Sequence, residues 1–407
     1  MKRPAFARSG VGVVVAAGWG MSFGMPALLL YTMGVFFDPM AHDYGLTHAV
    51  FGAGLLASTI ALAVSVPVVG MIVDRFGVRR PVMVGAALLA LGLSLLGALA
   101  TSAVTYVGAM ALVGLIGAGA SPVGYTRAVT ASFDRATGTA MGVTLTLVGV
   151  GSALLPQIAS AAILSFGWRW GFVCLGVLAL LTIPMSGKLL RMPHRAREAE
   201  AVSVAASHIR LTALAAESKF WILLLGFTMV AASLFGFMVH LAPMARAAGA
   251  TPGEAAAYAS LLGLSGLLSR FAIGALCDFV QPRLVMVGCA VAAAAAMLLV
   301  AGGNNLIALA AVGLGFVVGA EVDLMSILVS RYYPGALYGR VYSLLYGPTI
   351  IGTGLSSLWI GAIADHHGYA TALRVGAVLG ALGGLLFTLL PRGSEAQRAP
   401  RTSSQQA

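Results

Sequence analysis

Apolar runs of about 20 residues or more fill almost the whole chain, separated by short stretches that carry charge, Gly or Pro. A helix of that length crosses a hydrocarbon core of about 30 Å. Inside such a core each segment must satisfy its own backbone N–H and C=O groups, so these runs can only be helices. Twelve are readable, with limits near 11–36, 50–73, 81–100, 103–128, 138–164, 169–187, 220–244, 254–277, 283–301, 305–330, 339–364 and 370–390. Composition agrees: of 407 residues, 59% are hydrophobic and 9% charged, against about 25% charged in a soluble domain. The expected fold is an all-α polytopic membrane protein with twelve transmembrane helices in two six-helix halves.

An even number of crossings puts both termini on one side. Lys2, Arg3, Arg8, Arg75, Arg79, Arg80, Arg135, the cluster from Lys188 to Lys219, Arg283, Arg340, Arg392, Arg398 and Arg401 fall on that side, and Arg169, Arg246 and Arg374 on the other. Because Lys and Arg collect in cytoplasmic loops, both termini and the 188–219 segment are expected in the cytoplasm, with the chain multi-pass in the cytoplasmic membrane. The net charge of +11 is then a topology signal that also attracts anionic lipid, and no nucleic-acid partner is expected. The first run follows basic residues as a signal peptide does, yet it continues to about Phe36 without a small-residue cleavage site and reads as a retained helix. Cys174, Cys277 and Cys289 have no paired spacing, so neither a disulfide framework nor a metal site is expected. No phosphate loop, Gly-x-Ser-x-Gly elbow or His-Glu-x-x-His is present. The chain therefore reads as a non-enzyme without a cofactor, and any transport must run on gradients.

The long polar interruption divides the chain into residues 1–187, a linker at 188–219, residues 220–391, and a polar tail at 392–407 expected to be disordered. Within the linker, Glu198 to Ala216 fits either an amphipathic surface helix or a flexible connection. The halves echo one another. Gly70-Met-Ile-Val-Asp74-Arg returns as Gly274-Ala-Leu-Cys-Asp278-Phe, at 278 − 74 = 204, and Phe166-Gly167-Trp168 as His367-Gly368-Tyr369, at 368 − 167 = 201. Two landmarks at nearly one offset indicate a duplicated six-helix unit, the parallel repeat of a rocking transporter whose site lies between the halves near the midplane.

The stretch Gly70-x-x-x-Asp74-Arg75-Phe-Gly77-x-Arg79-Arg80 sets four charges and two glycines in a tight basic reversal between two apolar runs. It resembles the signature loop between the second and third helices of the major facilitator superfamily. Within that superfamily, three stretches are similar to the bacterial relatives of the monocarboxylate transporters and oxalate:formate antiporters. They are Gly34-Val-Phe-Phe-Asp-Pro-Met with Tyr44-Gly-Leu-Thr47 in the loop after the first helix, Ser132-Phe-Asp-Arg135-Ala-Thr-Gly138 before the fifth, and Leu268-Ser-Arg270-Phe-Ala-Ile-Gly274 in the eighth. The resemblance implies that Asp74 and Arg75, with Gly70, Gly77 and Arg79, gate the cytoplasmic side, and that Asp278, lacking the following Arg, is a weaker latch. Two departures matter. Gly266 stands where animal monocarboxylate transporters carry an acid four positions before the arginine, and Tyr346-Gly-Pro-Thr349 has no cation where oxalate antiporters place a lysine. The second argues against a dicarboxylate held by two cations.

Arg270 lies about 16 residues into the eighth run. An intramembrane arginine costs several kcal/mol without a partner or a wet cavity, so function is the default reading, and its fork suits a carboxylate. By resemblance it binds the substrate carboxylate; the alternative is a structural ion pair. Glu321 and Asp323 in the tenth run point about 200° apart on a helix, and Glu321 is expected at the depth of Arg270. The acid that faces the cavity is the candidate proton carrier, since burial penalises a charged carboxyl; static pairing with Arg270, Arg331 or another helix is the competing reading. Tyr31, Tyr125, Arg127, His240 and Tyr346 offer further polar groups. His240 lies near the outer end of its run, where plain solvent exposure is expected and a pH-sensing or gating role is the alternative. The expected function is proton-coupled symport of a small organic monocarboxylate by a monomer in contact with membrane lipids. A proton-driven drug efflux pump, an organic anion exchanger and a non-transporting receptor or scaffold on the same fold are the rivals, the last disfavoured by the intact gating residues and the buried charges.

Overall fold

The computed structural model describes residues 8–25, 27–133, 137–190, 214–303, 306–333 and 335–391. The stretch from Glu198 to Ala216, read as either a surface helix or a flexible connection, lies outside that set save for its last residues, as does the 392–407 tail. Among the described residues the regular elements are helical, and eleven helical stretches are long and apolar enough to cross a membrane. The last of these, Val341–Leu389, runs for 49 residues and is broken at Gly368, with φ 76° and ψ 164°. It therefore makes two crossings, which brings the number of spans to twelve.

The spans, numbered in chain order, are residues 8–44 (span 1), His48–Phe76 (2), Arg79–Leu99 (3), 103–132 (4), Thr137–Phe166 (5), Trp168–Leu189 (6), Ser218–Ala247 (7), Pro252–Phe279 (8), Pro282–Ala301 (9), Ile307–Tyr332 (10), 335–367 (11) and 369–389 (12). Side chains mark one end of the bundle as the end where the described residues begin and finish. A Cβ at Gly10 would touch Phe133 and one at Gly12 would touch Leu189. Tyr332 Oη donates to Pro391 O at 2.9 Å, and Arg283 Nη1 donates to Leu390 O at 2.5 Å. The other end is called the far end below.

Buried apolar side chains form two clusters, one from residues 214–390 and one from 13–190 joined by Val239 of span 7. Each half thus has its own core, as a six-helix unit requires. The internal repeat reaches the backbone as well. Gly167 between spans 5 and 6 has φ 83° and ψ 163°, matching Gly368 between spans 11 and 12. The turns before spans 2 and 8 match too, with Gly45 at φ 71° and Gly249 at φ 93°. Thr47 and Thr251, both helix N-caps, each accept an N–H from the residue three positions on at 3.3 Å.

Span 1 differs from the sequence expectation. It bends after Ser22, resumes at Ala27 and runs through Pro39 to Tyr44, so the stretch read as a loop from Gly34 is helical. Its two acids cause no intramembrane cost, because both sit at the far end and are met there. Arg246 Nε lies 2.8 Å from Asp38, and Arg169 Nη1 lies 2.7 Å from Asp43.

Candidate functional site

A reciprocal capping box starts span 8: Glu254 N donates to Thr251 Oγ1, and Thr251 N donates to Glu254 Oε2 at 2.7 Å. From that fixed start Arg270 lies 270 − 252 = 18 residues along the helix, about 27 Å at 1.5 Å per residue. Span 10 approaches span 8 backbone to backbone. A Cβ at Gly315 would stand 2.2 Å from Leu262 O, and one at Gly319 would stand 2.2 Å from Gly266 O. Small residues permit that approach, the usual way helices associate without a hydrophobic driving force.

The approach brings Arg270 Nη1 to 2.9 Å from Asp323 Oδ1, with the two side chains 14% and 20% exposed. The carboxylate absent at Gly266 is thus supplied from the neighbouring span. Among the described residues Asp323 is the one hydrogen-bond partner of this guanidinium, which has five N–H donors. Beside it lies a narrow cleft of about 10 Å³, lined by Tyr31 and Ser152 of the first half and by Gly266, Arg270 and Gly319 of the second. That is room for about one water molecule, so the halves stand closed around the arginine.

Glu321, expected at the depth of Arg270, is not its partner. It lies on another face of span 10, is 1% exposed, and neither carboxyl oxygen has a hydrogen-bond partner among the described residues. Tyr346 is within electrostatic reach of it and stacks on Tyr342 at 5.9 Å and 14°.

The remaining sequence candidates disperse. Tyr125 is fully buried inside the first half, where a Cβ at Gly20 of span 1 would overlap its ring at 2.1 Å; it does not line the cleft. Arg127 is partly buried two residues on, on the same short helix. His240 is 0% exposed, against the expectation of solvent exposure: its Nε2 lies 3.0 Å from Ser357 O and its Nδ1 3.2 Å from Tyr369 Oη. In the signature loop, Gly77 ends span 2 with φ 75° and ψ 167°, a conformation essentially confined to glycine. Gly70 sits in the helix with open space around it, so close packing is not its role. Arg75 is exposed with its guanidinium 5.5 Å from the Phe76 ring centroid, and Arg79 is exposed near Gly187 of span 6. The side chains of Asp74 and Asp278 lie outside the described set.

One constellation has no forerunner in the sequence reading. Asp365, at the far end of span 11, accepts His48 N at 3.0 Å, Ala49 N at 2.8 Å and His48 Nδ1 at 2.7 Å. It therefore caps span 2 from the opposite half. A sequence signal existed in the His48 that opens a run directly after a Thr N-cap, but its partner is 317 residues away.

The sequence matches the Major Facilitator Superfamily over residues 11–278 and again over 222–406. A comparison with curated proteins finds no significant match. Among solved structures, the D-xylose-proton symporter superposes with a TM-score of 0.78 at 13% identity, covering 95% of this chain and 99% of that one. A nucleoside transporter, NupG, gives 0.76 at 14% identity with coverage of 94% and 99%. The inward-open xylose transporter XylE from E. coli gives 0.76 at 13%, covering 96% and 99%. At such identities the likeness speaks to fold, and it covers both halves. The family match, the twelve spans and the duplicated halves agree: the chain belongs to the Major Facilitator Superfamily.

Proposed function

We propose that this transporter carries a small organic monocarboxylate across the cytoplasmic membrane by alternating access, in symport with a proton, with both termini in the cytoplasm. The carrying observation is Arg270. It sits at the cleft between the halves, holds one carboxylate through one N–H, and keeps further donors for a second. Asp323 competes with an incoming carboxylate for the same guanidinium, and a proton on Asp323 would release Arg270 to the substrate. That competition couples proton and substrate binding at a single pair. Tyr31 and Ser152 bring hydroxyl groups to the same cleft from the other half, so a ligand there touches both moving parts. An arginine in this position disfavours the cationic substrates of a drug efflux pump.

Uptake of labelled monocarboxylates, with D-xylose and a nucleoside as neutral comparators, into proteoliposomes with and without an inward proton gradient tests this. Accumulation of a carboxylate that requires the gradient and is lost in Arg270→Ala is the expected result. Gradient-independent exchange would favour the anion-exchanger reading. Accumulation of a neutral comparator, or full carboxylate uptake by Arg270→Ala, would overturn the proposal.

A further inference from the structure

We propose that His48 and Asp365 form a second proton-binding site, remote from Arg270, that latches the far-end gate. Asp365 belongs to span 11 of the second half and His48 to span 2 of the first, so their contact exists only while the far end is closed. Three donors converge on the one carboxylate at 2.7–3.0 Å. The backbone beneath is equally tight: a Cβ at Gly361 would lie 2.2 Å from His48 O, and one at Gly52 would lie 2.2 Å from Ser357 O. The pair is 26% and 19% exposed, so water and protons reach it.

The direction of the effect follows from where the charge sits. A neutral His48 gives the Asp365 carboxylate a hydrogen bond to an ionised acceptor; a protonated one adds the Coulomb attraction of an ion pair to it. In the open form the protonated ring would instead stand at the N-terminus of span 2 without a counter-charge, where the helix dipole opposes a cation. Proton binding therefore favours the closed far end.

The neighbouring groups leave this role to His48. His240 of span 7, with ring centroids 6.1 Å apart, has both nitrogens engaged as a neutral ring: Nε2–H donates to the Ser357 carbonyl and Nδ1 accepts from Tyr369 of span 12. Tyr369 meets His48 edge-on at 5.3 Å. From span 1 the His48 ring faces Phe37, and the nearest acid on that span, Asp38, is already held by Arg246. His366 and His367 are exposed beyond Asp365. The proposal rests on alternating access, but its test needs no substrate, so its failure is separable from failure of the carboxylate assignment.

The experiment places nitroxide labels at Val104→Cys and Ala247→Cys, both exposed and at the far end of different halves, in full-length protein whose three native cysteines are replaced by serine. Inter-label distances are measured by pulsed electron paramagnetic resonance between about pH 8 and about pH 5.5. The open-to-closed ratio is expected to fall about fivefold with acidification, the effect of roughly 1 kcal/mol. His48→Gln should abolish that dependence, His48→Arg should hold the closed distance at every pH, and His240→Gln should keep the parental response. A parent indifferent to pH, a His48→Gln variant that still shifts, or a His48→Arg variant that opens as His48→Gln does would each overturn the latch.

Discussion

Gly167 and Gly368 hold the same backbone conformation, φ 83°, ψ 163° and φ 76°, ψ 164°, at matching turns of the two halves. This region is essentially closed to residues with a Cβ. Nothing lies within 4 Å of a Cβ built at either position, so the requirement is purely conformational. Gly167→Ala and Gly368→Ala should each cost about 1–3 kcal/mol and lower the melting temperature in detergent by similar amounts. Gly70→Ala, on a helix with open space, should be neutral or stabilising by about 0.5–1 kcal/mol. If Gly70→Ala melts earlier than Gly368→Ala, the conformational argument is wrong.

The Arg270–Asp323 pair gives the second prediction. Lysine keeps the charge but loses the planar fork, so Arg270→Lys should raise the KM for a carboxylate by about tenfold, the loss of roughly 1.4 kcal/mol of binding. Asp323→Asn removes the partner of the guanidinium and, on the proposed coupling, the group that takes the proton. Uptake by that variant should no longer accelerate when the outside is acidified, while exchange of internal for external substrate persists. Initial rates in proteoliposomes at several external pH values measure both. An Asp323→Asn protein with parental proton dependence would move the coupling elsewhere.

Much of this was legible from the chain alone, and the reasons differ by residue. The spans declare themselves because every lipid-crossing helix must be apolar over its own length, a local property. Gly167 and Gly368 announced the duplication because a backbone requirement leaves the same residue in both copies. Arg270 stood out because a charge in an apolar run needs a reason. Its partner could not be chosen between Glu321 and Asp323: helical periodicity separates the two faces but does not say which one meets span 8. That depends on the glycine contacts between spans 8 and 10. His240 looked exposed because it is near a helix end, yet spans 11 and 12 bury it. The His48–Asp365 contact was invisible for the same reason, since both residues sit at helix ends where polar residues are ordinary.

The seam between spans 2 and 11 supplies the third prediction. A Cβ at Gly361 meets the His48 carbonyl carbon at 2.5 Å as well as its oxygen, and backbone atoms of a helix cannot step aside. Gly361→Ala should leave each half folded, because the nearest atoms its Cβ meets, in His48 and Ala49, belong to the other half. The far end should open, shifting the Val104–Ala247 label distance to longer values at all pH and reducing uptake. A closed distance in Gly361→Ala would mean that the seam relaxes locally.

Glu321 yields the last prediction. Its carboxyl group is buried at 1% exposure with both oxygens lacking a hydrogen-bond partner among the described residues. Leaving a buried polar group unsatisfied costs about 1–3 kcal/mol, whereas an apolar residue of similar shape removes that cost. Glu321→Met should therefore raise the melting temperature by about 1–3 °C. Such a cost persists in a native protein where the group has a use, and this acid lies on a different face of span 10 from the Arg270–Asp323 pair. Two outcomes are distinguishable in one assay. Proton-driven uptake at the parental rate in Glu321→Gln would leave Asp323 as the sole carrier on this helix. Uptake that survives only as exchange would give Glu321 a share in the proton path, reached through Tyr346 rather than through the cleft.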